Sequence, residues 1–73
     1  MIEDLDTVAL TQPLPDNGLA NGAEGVVVMV YGDHGAYEVE FLDGAHTVAL
    51  VTLPPEKVRL VHYYSAPLSA AAH

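Results

Sequence analysis

Histidine close to aspartate is the first pattern in this chain whose residue types could do chemistry. His34 follows Asp33 in Gly-Asp-His-Gly, and His46 lies near Asp43 in Asp-Gly-Ala-His. Imidazole and carboxylate groups are zinc ligands, but these pairs lie in separate turns and lack the spacing of a metal motif. They could share an ion only if the two turns met in space. Solvated turn histidines are the favoured interpretation, so we expect no metal and no cofactor.

Side chains that could act as nucleophiles are few. The chain has no cysteine, and its serines, Ser65 and Ser69, lie near the C-terminal end. Nucleophilic catalysis needs such a group beside a base in a cleft. Glu38 and Glu40 are spaced as a carboxylate pair, but acid–base catalysis by such a pair also needs burial. The surrounding sequence indicates a solvated face instead, and we expect no enzymatic activity.

The aromatic residues divide into two groups. Tyr37 and Phe41 alternate with glutamates and are expected in the core. Tyr63 and Tyr64 stand in an Ala/Ser-rich C-terminal segment with no interior to enter, so they are candidate contacts for another protein. A groove for proline-rich peptides is lined by aromatic side chains. The loop over residues 12–22 contains none, which argues against such a groove.

The central stretch from Gly25 to Phe41 contains His34, the two glutamates and the two core aromatic residues, so its fold must position them. Two β-type runs flank the Gly-Asp-His-Gly turn, and together they predict a hairpin. The second run alternates, so Tyr37, Val39 and Phe41 point to one side while the two glutamates point to the other. This pattern is typical of a strand with one buried and one solvated face.

The first run of the hairpin is apolar on both faces. Because successive strand residues point to opposite sides, one of two alternate sets must face away from the core. The sets are Val26, Val28 and Val30, or Val27, Met29 and Tyr31. The second set, together with Tyr63 and Tyr64, supplies our candidate protein-contact residues. An uncovered apolar face beside an open strand edge favours a partner chain, either a second copy of this chain or a different protein.

Three more strands and a long loop complete the predicted architecture. The strands are Asp6 to Leu10, Thr47 to Leu53 and Val58 to His62. Prolines and two Asn-Gly steps make residues 12–22 a structured loop, which Leu14 and Leu19 pin to the core. Pro54 to Lys57 predicts a single 3₁₀ turn before the last strand. Alternation places these side chains in the core: Val8, Leu10, Val39, Phe41, Val58 and Leu60.

The connections follow the order long loop, tight turn, tight turn and one-turn helix, which is the connectivity of an SH3-like barrel. We therefore predict an all-β fold, a five-stranded SH3-like barrel with one short 3₁₀ turn before the last strand. It occupies residues 1–62, and residues 63–73 form a C-terminal tail.

Five short motifs resemble a known family. They are Leu-Asp-Thr-Val-Ala-Leu at Leu5, Leu-Pro-x-x-Gly-Leu at Leu14, Gly-x-Val-Val-x-Val-Tyr at Gly25, Tyr-Glu-Val-Glu-Phe at Tyr37 and Val-Thr-Leu at Val51. The chain thus resembles small bacterial proteins of the domain of unknown function 4926 family over about residues 4–62. The resemblance implies the barrel and brings no established activity, cofactor or catalytic residue. Family members are similar in size to small antitoxin-like proteins encoded beside a larger partner.

The charge balance restricts the class of partner. Ten acidic residues face only Lys57 and Arg59, for a formal net charge of −8 at pH 7. A nucleic-acid binder needs a basic stripe to displace counterions, so nucleic acid is an unlikely ligand. The sequence favours a non-catalytic protein-interaction module, an antitoxin-like or accessory partner of a basic protein. The alternative is an accessory nucleic-acid-binding SH3-like module.

The chain shows no targeting or membrane signal. Its acidic start lacks the basic and apolar regions of a signal peptide. No apolar run approaches the ~20 residues of a membrane span. We therefore expect a cytoplasmic protein with no membrane partner.

Overall fold

Residues 1–64 are described by a computed structural model as one five-stranded antiparallel sheet. The strands are β1 (Thr7–Leu10), β2 (Glu24–Tyr31), β3 (Ala36–Asp43), β4 (His46–Leu53) and β5 (Val58–His62). Single 3₁₀ turns lie at Pro15–Asn17 and Pro55–Lys57. The predicted all-β fold and the turn before the last strand are confirmed. None of the helices in residues 1–64 has the length and apolar character needed to cross a membrane.

The strand order across the sheet is β4-β3-β2-β1-β5. The central hairpin therefore continues into a β3–β4 hairpin on one side, while β1 joins β2 to β5 on the other. β4 and β5 form the two edges, and within residues 1–64 no ladder pairs them with each other. The hydrogen-bonded sheet is therefore open.

The core covers one face of this sheet. Its fully buried cluster is Val8, Leu10, Val27, Tyr37, Val39, Phe41, Leu53 and Val58. Five of the six residues predicted from alternation belong to it; the exception, Leu60, is only half-buried. Leu14 and Leu19 bridge the long loop and pack against the cluster, as predicted.

A β-bulge in β2 overturns the prediction for Val27. Val27 pairs with Val39, but Met29 pairs with Glu38, so Val28 is an extra residue with no partner on β3. A bulge of this kind shifts the alternation of side chains by one position. Val27 is consequently 0% exposed and belongs to the core, whereas Met29 and Tyr31 remain on the opposite face. Neither of the two regular sets predicted for this strand is therefore correct.

Gly25, near the start of β2, occupies a position with no room for a side chain. A Cβ atom built there would lie 2.7 Å from Val39 Cγ1 and 2.9 Å from Phe41 Cδ1. The backbone of β2 thus approaches the buried face of β3 closely enough to require glycine.

Candidate functional site

The candidate site is the face of β2, β3 and β4 that points away from the core, called the outer face below. Its principal side chains are Met29, Tyr31, Glu38, Glu40, Leu42 and Leu50. Directly paired residues of antiparallel strands lie on the same side, and the register places Met29 beside Glu38 and Leu50 beside Glu40. Met29 is 49% exposed and Leu50 57% exposed. The outer face therefore presents two central carboxylates with apolar side chains around them.

Glu38 is held by hydroxyl groups from both neighbouring strands. The Tyr31 hydroxyl donates to Glu38 Oε1 at 3.3 Å, and the Thr52 hydroxyl donates to the same oxygen. Partial removal from water and the adjacent carboxylate both raise the pKa of the Tyr31 phenol. Tyr31 thus stays a neutral donor at neutral pH, and Glu38 has a defined position between β2 and β4.

Glu40 is also held by a hydroxyl group, but only from β4. The Thr47 hydroxyl donates to Glu40 Oε2 at 2.5 Å. Both donors on β4, Thr47 and Thr52, therefore hold a β3 carboxylate toward the edge of the sheet. The predicted acidic face is present, but Glu38 and Glu40 are half-buried, and their carboxylates are oriented by threonines that the sequence analysis did not consider.

The carboxylates of the outer face have no cationic partner within residues 1–64. Neither Lys57 nor Arg59 forms an ion pair there, and the ion pairs found in this part of the chain both involve His34. Glu38 Oε2 and Glu40 Oε1 accept no hydrogen bond from residues 1–64. The outer face thus carries negative charge that its own fold does not neutralise.

A second polar centre lies where the chain enters and leaves the sheet. The Asp6 side chain is 3% exposed, and its two oxygens accept separate backbone hydrogen bonds. The Tyr64 N–H donates to Oδ1 at 2.7 Å, and the Glu3 N–H donates to Oδ2 at 2.9 Å. These two bonds hold the pKa of Asp6 below its ordinary value, against the opposing effect of burial. Asp6 therefore joins the N-terminal segment to the end of β5.

His34 is attached to the same N-terminal segment. Its Nε2 atom lies 3.0 Å from Glu3 Oε2, and its ring meets the Tyr37 ring edge-on at 6.5 Å. His46 is the first residue of β4, paired with Asp43 at the end of β3, and does not lie in the turn as predicted. Within residues 1–64 no three histidine, aspartate or glutamate side chains gather as a metal would require.

The remaining contact candidates, Tyr63 and Tyr64, follow β5 with exposed side chains. Within residues 1–64, Tyr64 is engaged through its backbone N–H, which donates to Asp6. The expectations about the tail beyond Tyr64, including Ser65 and Ser69, lie outside the described residues. The structure thus leaves Met29, Tyr31, Tyr63 and Tyr64 as accessible candidates, while Val27 is removed from the set.

Comparison with known proteins identifies the family of this chain. The family described as Domain of unknown function (DUF4926) matches residues 4–60. The chain belongs to this family. The DUF4926 match spans β1 to β4 and ends within β5, so it includes the outer face and Asp6. No curated protein and no solved structure matches the chain.

Proposed function

We propose that this DUF4926 domain is a non-catalytic protein-interaction module that binds a basic protein through its outer face. The observation that carries the proposal is the pair of oriented carboxylates, Glu38 and Glu40, without a cation from residues 1–64 and surrounded by exposed apolar side chains. Interfaces commonly combine an apolar contact area with complementary charge, which selects the partner.

Arginine fits this surface better than lysine. Its planar guanidinium can pair with a carboxylate and stack on an aromatic ring at the same time. Glu38 and the Tyr31 ring stand side by side and are joined by a hydrogen bond. An arginine of the partner would therefore contact both, while its aliphatic stem covers Met29.

We also propose that the sheet is an SH3-like barrel in an open form. The strand order, the long loop between β1 and β2, the two tight turns and the 3₁₀ turn before β5 support this assignment. Some SH3-like barrels bind nucleic acid, but the formal charge of −8 favours a basic protein instead.

The negative charge of the outer face favours a different protein over a second copy of this chain as its binding partner. Self-association through the outer face would bring Glu38 and Glu40 of both copies together without cations to pair with them. Such like-charge contacts oppose association. The self-association expected from the sequence would therefore have to use another surface, such as the exposed side chains of Tyr63 and Tyr64.

A capture experiment with three baits tests the proposal. The full chain, the Glu38→Gln/Glu40→Gln variant and the control variant Glu56→Gln are each exposed to the same cell extract. We expect the wild type and the control to retain the same basic protein, and the double variant to lose it. Retention by all three baits would contradict the proposal. Saturable binding of nucleic acid at low salt would replace it with the alternative function.

A further inference from the structure

The edge of the sheet at β4 is open along a regular stretch. Ala49 to Leu53 pair with β3 in continuous register, and no strand of residues 1–64 lies on their other side. The stretch begins after Val48, an extra residue that interrupts the register. An edge strand directs alternate N–H and C=O groups away from its neighbour. At ~3.4 Å per residue this edge is about 17 Å long, the length of an ordinary short strand.

Apart from the bulge at Val48, β4 lacks the features by which edge strands usually avoid pairing. No proline and no charged residue occurs from Thr47 to Leu53. The opposite edge, β5, is shorter, carries Arg59 and has an extra residue, Val61, near its end. Charge, shortness and bulges all discourage edge-to-edge contact. The two edges are thus unequal, and β4 is the one suited to accept another strand.

Both faces of β4 are also incompletely covered. Ala49 and Val51 point toward the core and pack against it, yet each is only half-buried. Leu50 points to the outer face and is 57% exposed. A neighbouring strand would cover Ala49 and Val51 with its inward side chains, and its outward side chains would lie beside Leu50 and Thr52.

The charges next to this edge select its occupant. Thr47 and Thr52 hold the Glu40 and Glu38 carboxylates on the β4 side. A strand added to β4 would lie two strand spacings, roughly 10 Å, from β3. Long cationic side chains on its outward face can meet the glutamates across that distance. A second copy of this chain offers no cation between Thr47 and Leu53 of its own β4, and the whole copy brings a further formal charge of −8.

We propose that β4 accepts an extended segment of the basic partner as a sixth strand. Apolar residues of the segment cover Ala49 and Val51, and they alternate with arginine or lysine residues that pair with Glu38 and Glu40. Main-chain hydrogen bonds then supply affinity, and the alternating side chains supply specificity. This inference rests on the proposed function and specifies the form in which the partner binds.

The test uses the full chain labelled with ¹⁵N and a short peptide of alternating valine and arginine, acetylated and amidated. The control peptide has the same composition, with its arginines in one block. We expect the alternating peptide to protect from hydrogen exchange those backbone amides of Ala49 to Leu53 that point away from β3, and the block peptide to leave them unprotected. Equal protection by both peptides would overturn the proposal, because charge alone would then explain binding.

Variants of the full chain sharpen the test. We expect Glu38→Gln/Glu40→Gln to weaken binding of the alternating peptide about tenfold. Leu50→Lys, which adds a cation at an exposed position, should also weaken it, whereas Glu56→Gln should leave it unchanged. Glutamate-dependent binding without protection of the β4 amides would overturn strand addition and leave the proposed function standing. Absence of binding by the alternating peptide would overturn strand addition, while the capture experiment would still decide the proposed function.

Discussion

Replacing Asp6 by asparagine is the most informative single perturbation of this fold. The substitution keeps the size of the side chain but leaves one oxygen where the carboxylate has two. Each Asp6 oxygen accepts one backbone N–H, from Tyr64 at 2.7 Å and from Glu3 at 2.9 Å. In the Asp6→Asn variant the amide group would face one of these N–H donors, so that donor would lose its partner.

The magnitude follows from burial and charge. Asp6 itself is 3% exposed, and both of its hydrogen bonds are part-buried, so water replaces the lost acceptor only incompletely. Leaving one part-buried donor unpaired and removing a charged acceptor costs about 1–3 kcal/mol. For a domain of this size, each kcal/mol shifts the melting temperature by about 4–8 °C. We therefore expect Asp6→Asn to lower the melting temperature by roughly 5–20 °C.

The effect should depend on pH with a definite sign. Because the pKa of Asp6 is lowered by folding, the ionised carboxylate stabilises the native state above the ordinary aspartate pKa of ~3.9. This stabilisation is lost as the pH falls through the lower native pKa. The difference in unfolding free energy between wild type and Asp6→Asn should thus be largest near neutral pH and shrink in acid.

Denaturant unfolding followed by circular dichroism over a pH series measures this difference. Asp4→Asn is the matched control, because Asp4 is exposed and its side chain makes no hydrogen bond within residues 1–64. Both variants remove one negative charge from the same segment. Equal stability of the two variants at neutral pH, or a difference that does not change with pH, would refute the role assigned to Asp6.

Three further outcomes are expected from the fold. Gly25→Ala should destabilise the domain by about 1–3 kcal/mol because its Cβ would meet buried β3 atoms, whereas Gly35→Ala, with open space around it, should not; thermal melts compare them. Phe41→Ala should cost ~3–5 kcal/mol and unfold or nearly unfold the domain, whereas Leu42→Ala on the outer face should be tolerated. A melting temperature lowered by only a few degrees in Phe41→Ala would contradict the core role of Phe41. Light scattering at several concentrations should show no dimer that depends on the outer face. A dimer that is lost on substitution of Met29 would contradict the preference for a different protein over a second copy of this chain.

Local pattern in the sequence determined much of this fold. The alternation of Tyr37, Val39 and Phe41 with glutamates identified β3 and its buried face. In a strand with one solvated side, apolar and polar residues alternate because successive side chains point to opposite faces. Proline chemistry likewise identified the 3₁₀ turn at Pro55–Lys57. These features depend on residues close together in the chain, so tertiary structure had little to add.

The orientation of β2 was decided only by tertiary structure. Val26 to Tyr31 is apolar throughout, and such a run carries no alternation from which to assign a face. The extra residue Val28 then shifts the alternation, which buries Val27 and exposes Met29. A bulge arises from pairing with the neighbouring strand, and a single strand read alone does not reveal it.

The polar contacts of the site depend on long-range pairing for the same reason. The sequence predicts that Glu38 points away from the core, but its donor Thr52 lies on the next strand and becomes a neighbour only through the register of β3 with β4. Asp6 has no local signal of burial, since its partner Tyr64 stands at the other end of the described chain. Local sequence thus determined which faces are apolar or acidic, whereas strand pairing decided which charges are held, buried or left for a partner.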